Sequence, residues 1–328
     1  MFHVEAAEAV HYAEDAAQLL RASWQPPCVH YTSSYLDWQF TYPSDRSTLA
    51  AAAREGNRLV GFAAVIPRRV RVMGTVRTVY HLSFVCVSPD YRKHGVGVEL
   101  YRNLLGQVAS TGIPFVAYTM NDSPGLKTLL SGSEVAGFAV KSLGKYGGYG
   151  YLHRPNVVPP TIPERSVAAA TDADEAELRE LLASADDGRT LAVEADSETI
   201  RHWKRDPRRF ANLLIRREGR LVGTAMLVRG RISTNQGISP VTTVEHLVLR
   251  DHDSQAFAAL VRAAGAVWNE SGRPEFVSLP NLRDVPDEII RAAGVRLTPT
   301  HFLGHLGIGP DCDLGPMADV STTNMAVN

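Results

Sequence analysis

Three segments recur along this 328-residue chain at a nearly constant spacing, and that repeat limits the possible folds more than any other feature. The segment EGNRLVGFAAVI from Glu55 returns as EGRLVGTAMLV from Glu218. Each copy has a glycine turn followed by an apolar run, the form of a β-hairpin. HLSFVCVSPD from His81 matches HLVLRDHD from His246, an apolar strand that ends in an acidic turn. PFVAYTMN from Pro114 matches EFVSLPN from Glu275, each a short strand closed by an asparagine, Asn121 or Asn281. The offset stays between 160 and 165 residues, which points to a duplicated fold.

Within the first copy the order is helix, hairpin, long strand, helix, strand, helix. That is an α/β layered pattern, so two tandem domains are expected, each a twisted mixed sheet flanked by helices. The length suits two domains with separate cores. Four prolines lie between His153 and Ser166, which favours an extended connection. A new helix is predicted from Thr171 or Asp172, with Leu178, Leu181 and Leu182 on one face. The expected boundaries are 1–153 for the first domain, 154–165 for a Pro-rich linker, 166–308 for a degenerate second domain, and 309–328 for an irregular tail.

Composition narrows the classes. Hydrophobic residues make up 45% and charged residues 21%, as in globular proteins, and the net charge of −1 offers no basic field for nucleic acid. Cys28, Cys86 and Cys312 are far apart and odd in number, without disulfide or metal-ligand spacing, so a reducing compartment and no metal are expected. The acidic N-terminus does not read as a signal peptide, and no apolar run suffices to span a membrane. The expectation is a cytoplasmic protein.

The chemistry is concentrated after Val85, in VCVSPDYRKHGVGVELYRNLLGQVAST. A strand over Leu82–Val87 turns at Ser88-Pro89-Asp90 and reaches Arg92, Lys93, His94, Gly95, Val96 and Gly97. A helix follows, with Val98, Leu100, Leu104, Leu105 and Val108 apolar. Glycines let a bound group approach the backbone, and the free amides and dipole of a helix N-terminus favour an anion such as a pyrophosphate. Neighbouring basic side chains add charge. No Gly-Lys-Ser/Thr follows, so this is not a nucleoside triphosphate loop. Glu99 is misplaced for a dinucleotide fingerprint.

The RKHGVG loop from Arg92 resembles the coenzyme A pyrophosphate loop of the GNAT superfamily. LSFVCV from Leu82, GIPFVAYT from Gly112 and the hairpin LVGFAAVIPRRVRV from Leu59 resemble the eukaryotic N-myristoyltransferases, over roughly residues 35–120. This resemblance implies an acyl-CoA co-substrate held at Val85, Val87 and the loop Arg92, Lys93, His94, Gly95, Val96 and Gly97. It also implies an oxyanion hole made by the main-chain N–H groups of Phe84 and Val85, where charge develops on a thioester oxygen.

The family orients a chain-terminal carboxylate, the base, with an Asn and a Thr. Ser83 and Thr119 take those places, Ser83 as a departure, and the chain here ends at Asn328. His81 stands where the family has Glu and is the preferred alternative base; Glu245 and His246 are weaker candidates. No tyrosine follows the second strand to act as general acid. Tyr118 is expected to pack, and Cys86 to be a small buried hydrophobe. Arg68, Arg69 and Arg71 read as a solvated strand edge more than as phosphate ligands, and the Gly/Tyr-rich run from Gly144 as a mobile loop or a bent strand. In the second half the counterpart of the loop, RDHDSQAFAALV from Arg250, is acidic and lacks glycine, so one CoA site per chain is expected.

The expected reaction is direct attack by a primary amine of a peptide or small natural product on the acyl-CoA thioester. The resemblance favours a medium or long fatty acyl group, while the two loop glycines are the general GNAT form and leave acetyl-CoA open. Aminoacyl transfer from tRNA, which the charge balance disfavours, and a non-catalytic CoA-binding module are the other readings.

Overall fold

The structure is a computed structural model, and it describes residues 1–72, 75–120, 123–154, 167–186, 191–270, 275–279 and 285–309. Most of the expected linker, the tail after residue 309, and Asn121, Asn281 and Asn328 lie outside the described residues.

The first half runs β1 (His3–Glu8), α1 (Ala13–Ser23), β2 (Cys28–Val29), α2 (Ser33–Phe40), β3 (Leu49–Glu55), β4 (Arg58–Val72), β5 (Thr75–Val87), α3 (Val96–Ala109), β6 (Phe115–Met120), α4 (Pro124–Val135) and β7 (Ala139–His153). The second repeats it element for element: β8 (Val167–Ala169), α5 (Glu175–Asp186), β9 (Leu191–Val193), α6 (Ser197–Lys204), β10 (Arg209–Arg217), β11 (Arg220–Thr234), β12 (Gly237–Leu249), α7 (Ser254–Ala266), β13 (Glu275–Leu279), α8 (Asp287–Ala292) and β14 (Arg296–Ile308).

Ladder register fixes the repeat residue by residue. Gly61 opposes Val87 and Gly223 opposes Leu249, each 162 positions later. Both glycines are needed for close packing: a Cβ at Gly61 would come within 2.9 Å of Leu100, and one at Gly223 within 2.9 Å of Leu249 and 3.2 Å of Leu260. The same offset makes Thr243, opposite Val228, the counterpart of His81, opposite Ile66. The sequence match of His81 with His246 is therefore three residues out of register. Apolar strands align almost equally well after a small slip, and only the pairing decides.

The two α/β folds share one sheet, in the order β1-β3-β4-β5-β6-β14-β7-β13-β12-β11-β10-β8. Each half gives its last strand to the other, so that β14 pairs with β6 and β7 pairs with β13. The short strands are exchanged too: β2 pairs with β11, and β9 with β4. Each half contributes the mixed sheet flanked by helices that was expected, and the exchange makes the two sheets continuous.

Helices cover both faces. On one, Leu100, Leu104 and Leu105 of α3 pack on Ala51, Ala53 and Ala63, whose small side chains let the helix sit close to the sheet. On the other, α1 and α2 bury Leu20, Leu36 and Phe40 against Ala50, Ala52 and Phe62. Each fully buried Leu contributes about 2 kcal/mol of apolar burial. Between the halves, Trp38 donates to the His202 carbonyl at 2.9 Å and stacks on its ring at 4.7 Å. Arg69 pairs with Asp196, and Arg71 with Glu194 at 2.8 Å, so these arginines tie the halves together instead of forming a solvated edge. Arg68 is buried, bonded to Gln39 and 3.9 Å from the centre of the Tyr42 ring. The run from Gly144 is the bent-strand alternative: it lies within β7, between β14 and β13.

Candidate active site

The site is organised by a gap in the sheet. Parallel β5 and β6 pair only at Tyr80–Phe115, His81–Val116 and Leu82–Ala117. Beyond Leu82 and Ala117 the strands run on unpaired with each other, while β14 holds the far side of β6. In the same stretch β5 is bulged against β4. Ser83 opposes Ala64 and Cys86 opposes Phe62, which leaves Phe84 and Val85 together opposite Ala63. Phe84 adopts φ +57, an outlier for a bulky residue. A bulge takes its extra residue out of the ladder and re-aims the side chains around it. The Phe84 ring accordingly turns toward α1 and α2, edge-on to Tyr31 at 5.7 Å and to Phe40 at 5.8 Å. Val85 packs with Leu82 on the α3 face.

From Val87 the chain enters the loop. Lys93 at φ +67 and Gly95 at φ +82 both take left-handed backbone, and Gly95 forms the N-cap of α3. Among the described residues no side chain caps the N-terminus of this helix. A Cβ on Gly95 would meet nothing within 4 Å, so its glycine is required by backbone conformation and not by crowding. Arg92 donates to the Ser23 carbonyl at the end of α1. That bond ties the loop down, so the exposed side chains of Lys93 and His94 are the ones left to meet a bound anion. Val96 is buried, and Gly97 lies where a Cβ would make ordinary contact with Thr128 at 3.5 Å.

The counterpart in the second half is closed. Asp253 caps α7, accepting from the amides of Gln255 and Ala256 at 3.0 and 3.1 Å. A carboxylate already holds the place an anion would take, as the acidic sequence there suggested.

His81 is 7% exposed, and burial, with the Arg68 charge added, lowers its pKa to about 3. It stays neutral, 3.5 Å from the Ser83 hydroxyl and edge-on to Tyr118 at 5.7 Å. Thr119 is placed elsewhere: its hydroxyl lies 2.9 Å from Nε2 of His305, on β14. Among the described residues no hydrogen bond joins Ser83 to Thr119, and strand alternation sends them to opposite faces. Burial pushes the Cys86 thiol up, consistent with a packing role.

Glu245 sits at a bulge in β12, buried, 3.1 Å from Arg208. Burial raises its pKa and Arg208 opposes the rise. His246 packs on Trp203 at 4.6 Å. Both line a small cavity between the halves, together with Trp38, Arg68, Asp206 and Arg208. Sequence reasoning missed His305 and Arg208. Neither lies in a motif, and only the strand exchange and the packing of the halves bring them in.

Residues 13–127 match the family described as "Acetyltransferase (GNAT) family". Over 111 residues the chain is 28% identical to the "Probable glycylpeptide N-tetradecanoyltransferase" of Caenorhabditis elegans, covering 33% of this chain and 23% of that protein. It is 29% identical over 111 residues to the Drosophila melanogaster glycylpeptide N-tetradecanoyltransferase, covering 33% of this chain and 22% of that one. The matched segment thus spans less than a quarter of these curated relatives. The structure superposes on Saccharomyces cerevisiae N-myristoyltransferase with bound myristoyl-CoA at a TM-score of 0.70 and 11% identity, covering 94% of this chain and 79% of the yeast chain. Residues 13–127 are therefore similar to the GNAT acetyltransferase family, within a chain whose fold is like that of the yeast N-myristoyltransferase.

Proposed function

We propose that the chain is an acyl-CoA-dependent N-acyltransferase with one donor site, in the first half. The observation that carries this reading is a coincidence of three features. The β5 bulge at Phe84–Val85, the unpaired stretch between β5 and β6, and the glycine-capped start of α3 are consecutive along fourteen residues, Phe84 to Gly97.

In this reading the CoA pyrophosphate lies against the first amides of α3, at Val96 and Gly97, with Lys93 and His94 beside it. The pantetheine arm lies in the gap and uses the β5 main chain at Val85 and Val87. The thioester carbonyl then faces the amides of Phe84 and Val85, which stabilise the oxygen as it becomes anionic. The rings around Phe84 hold the bulge in shape before substrate arrives, so little reorganisation is required at the moment of reaction. A primary amine attacks the carbonyl carbon, the C–N bond forms, and the C–S bond breaks with its electron pair on sulfur. His81, with a pKa of about 3, is a weak proton acceptor at neutral pH. Its role is to hold Ser83 beside the bulge.

The donor class follows the relatives: fatty acyl-CoA, with acetyl-CoA as the alternative, and a glycine-initiated peptide or small primary amine as acceptor. The test is calorimetric titration with acetyl-, octanoyl- and palmitoyl-CoA, alongside intact mass spectrometry of the native protein. Wild type should bind about one equivalent, and the best-bound chain names the donor. Gly97→Glu should fold normally and lose binding, because it puts a carboxylate in the first turn of α3, beside the amides that would hold the pyrophosphate. Gly95→Trp should lose binding as well. Equal binding by wild type and both variants would remove the loop from the site. No binding by wild type would favour tRNA-dependent transfer.

A further inference from the structure

The sequence repeat brings no base into the first half, yet the strand exchange does. Thr119 stands two residues past Ala117, the last residue of β6 paired to β5, and so borders the open gap. It shares a sheet face with Leu82 and Ala117, the face to which the bulge also returns Val85. His305 of β14 opposes Ala117 on one side and Ser142 on the other, so its backbone is fixed by two ladders. Its Nε2 lies 2.9 Å from Thr119 Oγ1, and the residue is 6% exposed. At the related place in the second half, opposite Leu279 on β13, the exchanged strand carries Tyr149. An imidazole is thus supplied only to the half whose helix N-terminus is open.

We propose that His305 positions Thr119 in the acyl-transfer site and takes the acceptor's proton through it. This rests on the donor reading given above. Thr119 Oγ1 accepts from the incoming ammonium while its own hydrogen passes to Nε2 of His305. The freed nitrogen lone pair bonds to the thioester carbon. When the tetrahedral adduct collapses, the C–S bond breaks and the second proton leaves with the sulfur, giving CoA thiol and the amide. The imidazolium then releases its proton to solvent, so one ammonium and one thioester yield one amide, one thiol and one proton.

Electrostatics allow the role. Burial alone lowers the His305 pKa, with no guanidinium added as at His81, so the ring is neutral and able to accept. The charged groups on the elements packed against it are Lys141 and Lys145 of β7 and Lys127 and Glu134 of α4. Lys127, Glu134 and Lys145 are exposed, and Lys141 pairs with Leu306, on the opposite face. Thr119 and Ser142 are its nearest polar neighbours across the two ladders.

The test uses the full chain with 15N-labelled histidine, His305→Gln serving to assign the ring signals and Thr119→Val to cut the bond. Saturation with octanoyl-CoA should shift the His305 ring nitrogens, and Thr119→Val should diminish that shift. CoA release is then followed across pH 5.5–9 with a glycine-initiated peptide and with small primary amines. His305→Gln should bind octanoyl-CoA as wild type does, lower kcat about 100-fold and lose the acidic limb of the kcat profile. Three results overturn the proposal while the donor reading stands: loop amides that shift while His305 does not, a kcat within about threefold of wild type, or a retained acidic limb. If neither loop nor His305 responds, or wild type releases no CoA, the donor reading fails and this proposal falls with it.

Discussion

The guanidinium of Arg208, from the second half, lies 4.4 Å from the centre of the Tyr35 ring, from the first, and bonds on its other side to Asp206 and Glu245. Aromatic face and carboxylates together replace the water it loses. Removing such a charge leaves its partners buried and unpaired, which typically costs about 3–5 kcal/mol. Arg208→Ala should therefore lower the urea midpoint strongly. Adding Glu245→Gln to it should recover part of the loss, because the stranded charge is gone. Strict additivity in this double-mutant cycle would mean that the pair is not coupled.

The pH dependence of stability has a definite sign. His81 and His202 have pKa values lowered from 6.5 to about 3 and about 4, by burial first and the Arg68 charge second. Below about pH 6.5 the unfolded chain binds a proton at each and the folded chain does not. Stability is full above that pH and falls as pH drops from 6.5 toward 4, by at most about 2.7 kcal/mol per unit for the two together. Glu245, shifted upward, binds its proton early in the folded state and offsets part of this. Denaturation at pH 7 and pH 5 should differ by about 2–4 kcal/mol, and His202→Gln should shrink the difference. A flat profile would contradict the buried, neutral state of both rings.

Asp253 caps α7 and pairs with Arg217 at 2.8 Å. Asp253→Ala should cost about 1 kcal/mol of stability, read by thermal melting. The number of acyl-CoA molecules bound per chain should remain one, since the second half also lacks the glycine loop. A second bound equivalent in this variant would show that the carboxylate alone had kept the site closed.

Strand exchange makes the halves interdependent. Without β14, strand β6 loses its antiparallel partner; without β7, β13 does. Fragments 1–160 and 161–328, expressed separately, should be unfolded or aggregated by circular dichroism and gel filtration, and co-expressed they should give one folded complex. A soluble, cooperatively melting fragment 1–160 would contradict this.

The local part of the fold is legible in the residues. Alternation and glycine turns mark the hairpins, the repeat in Leu59–Val65 and Leu221–Leu227 reveals the duplication, and RKHGVG marks the opening of α3, because each depends on neighbours within a few positions. The site residues that the resemblance implies fall partly together. Phe84, Val85, Ser83 and His81 lie on one stretch of strand, where β5 is bulged against β4. The expected linker and tail fall mostly on residues the structure does not describe.

What the sequence by itself determined is therefore the element order, the repeat and the one open helix N-terminus. Tertiary structure decided which strand lies beside which. It set His305 against Thr119 across 186 positions, buried Arg208 against Tyr35, and paired Arg69 and Arg71 with the other half. Periodicity encodes which face of a strand is buried, but strand neighbours are chosen by edges, and an edge carries no side-chain pattern of its own: its hydrogen-bonding groups are the same backbone amides and carbonyls at every residue.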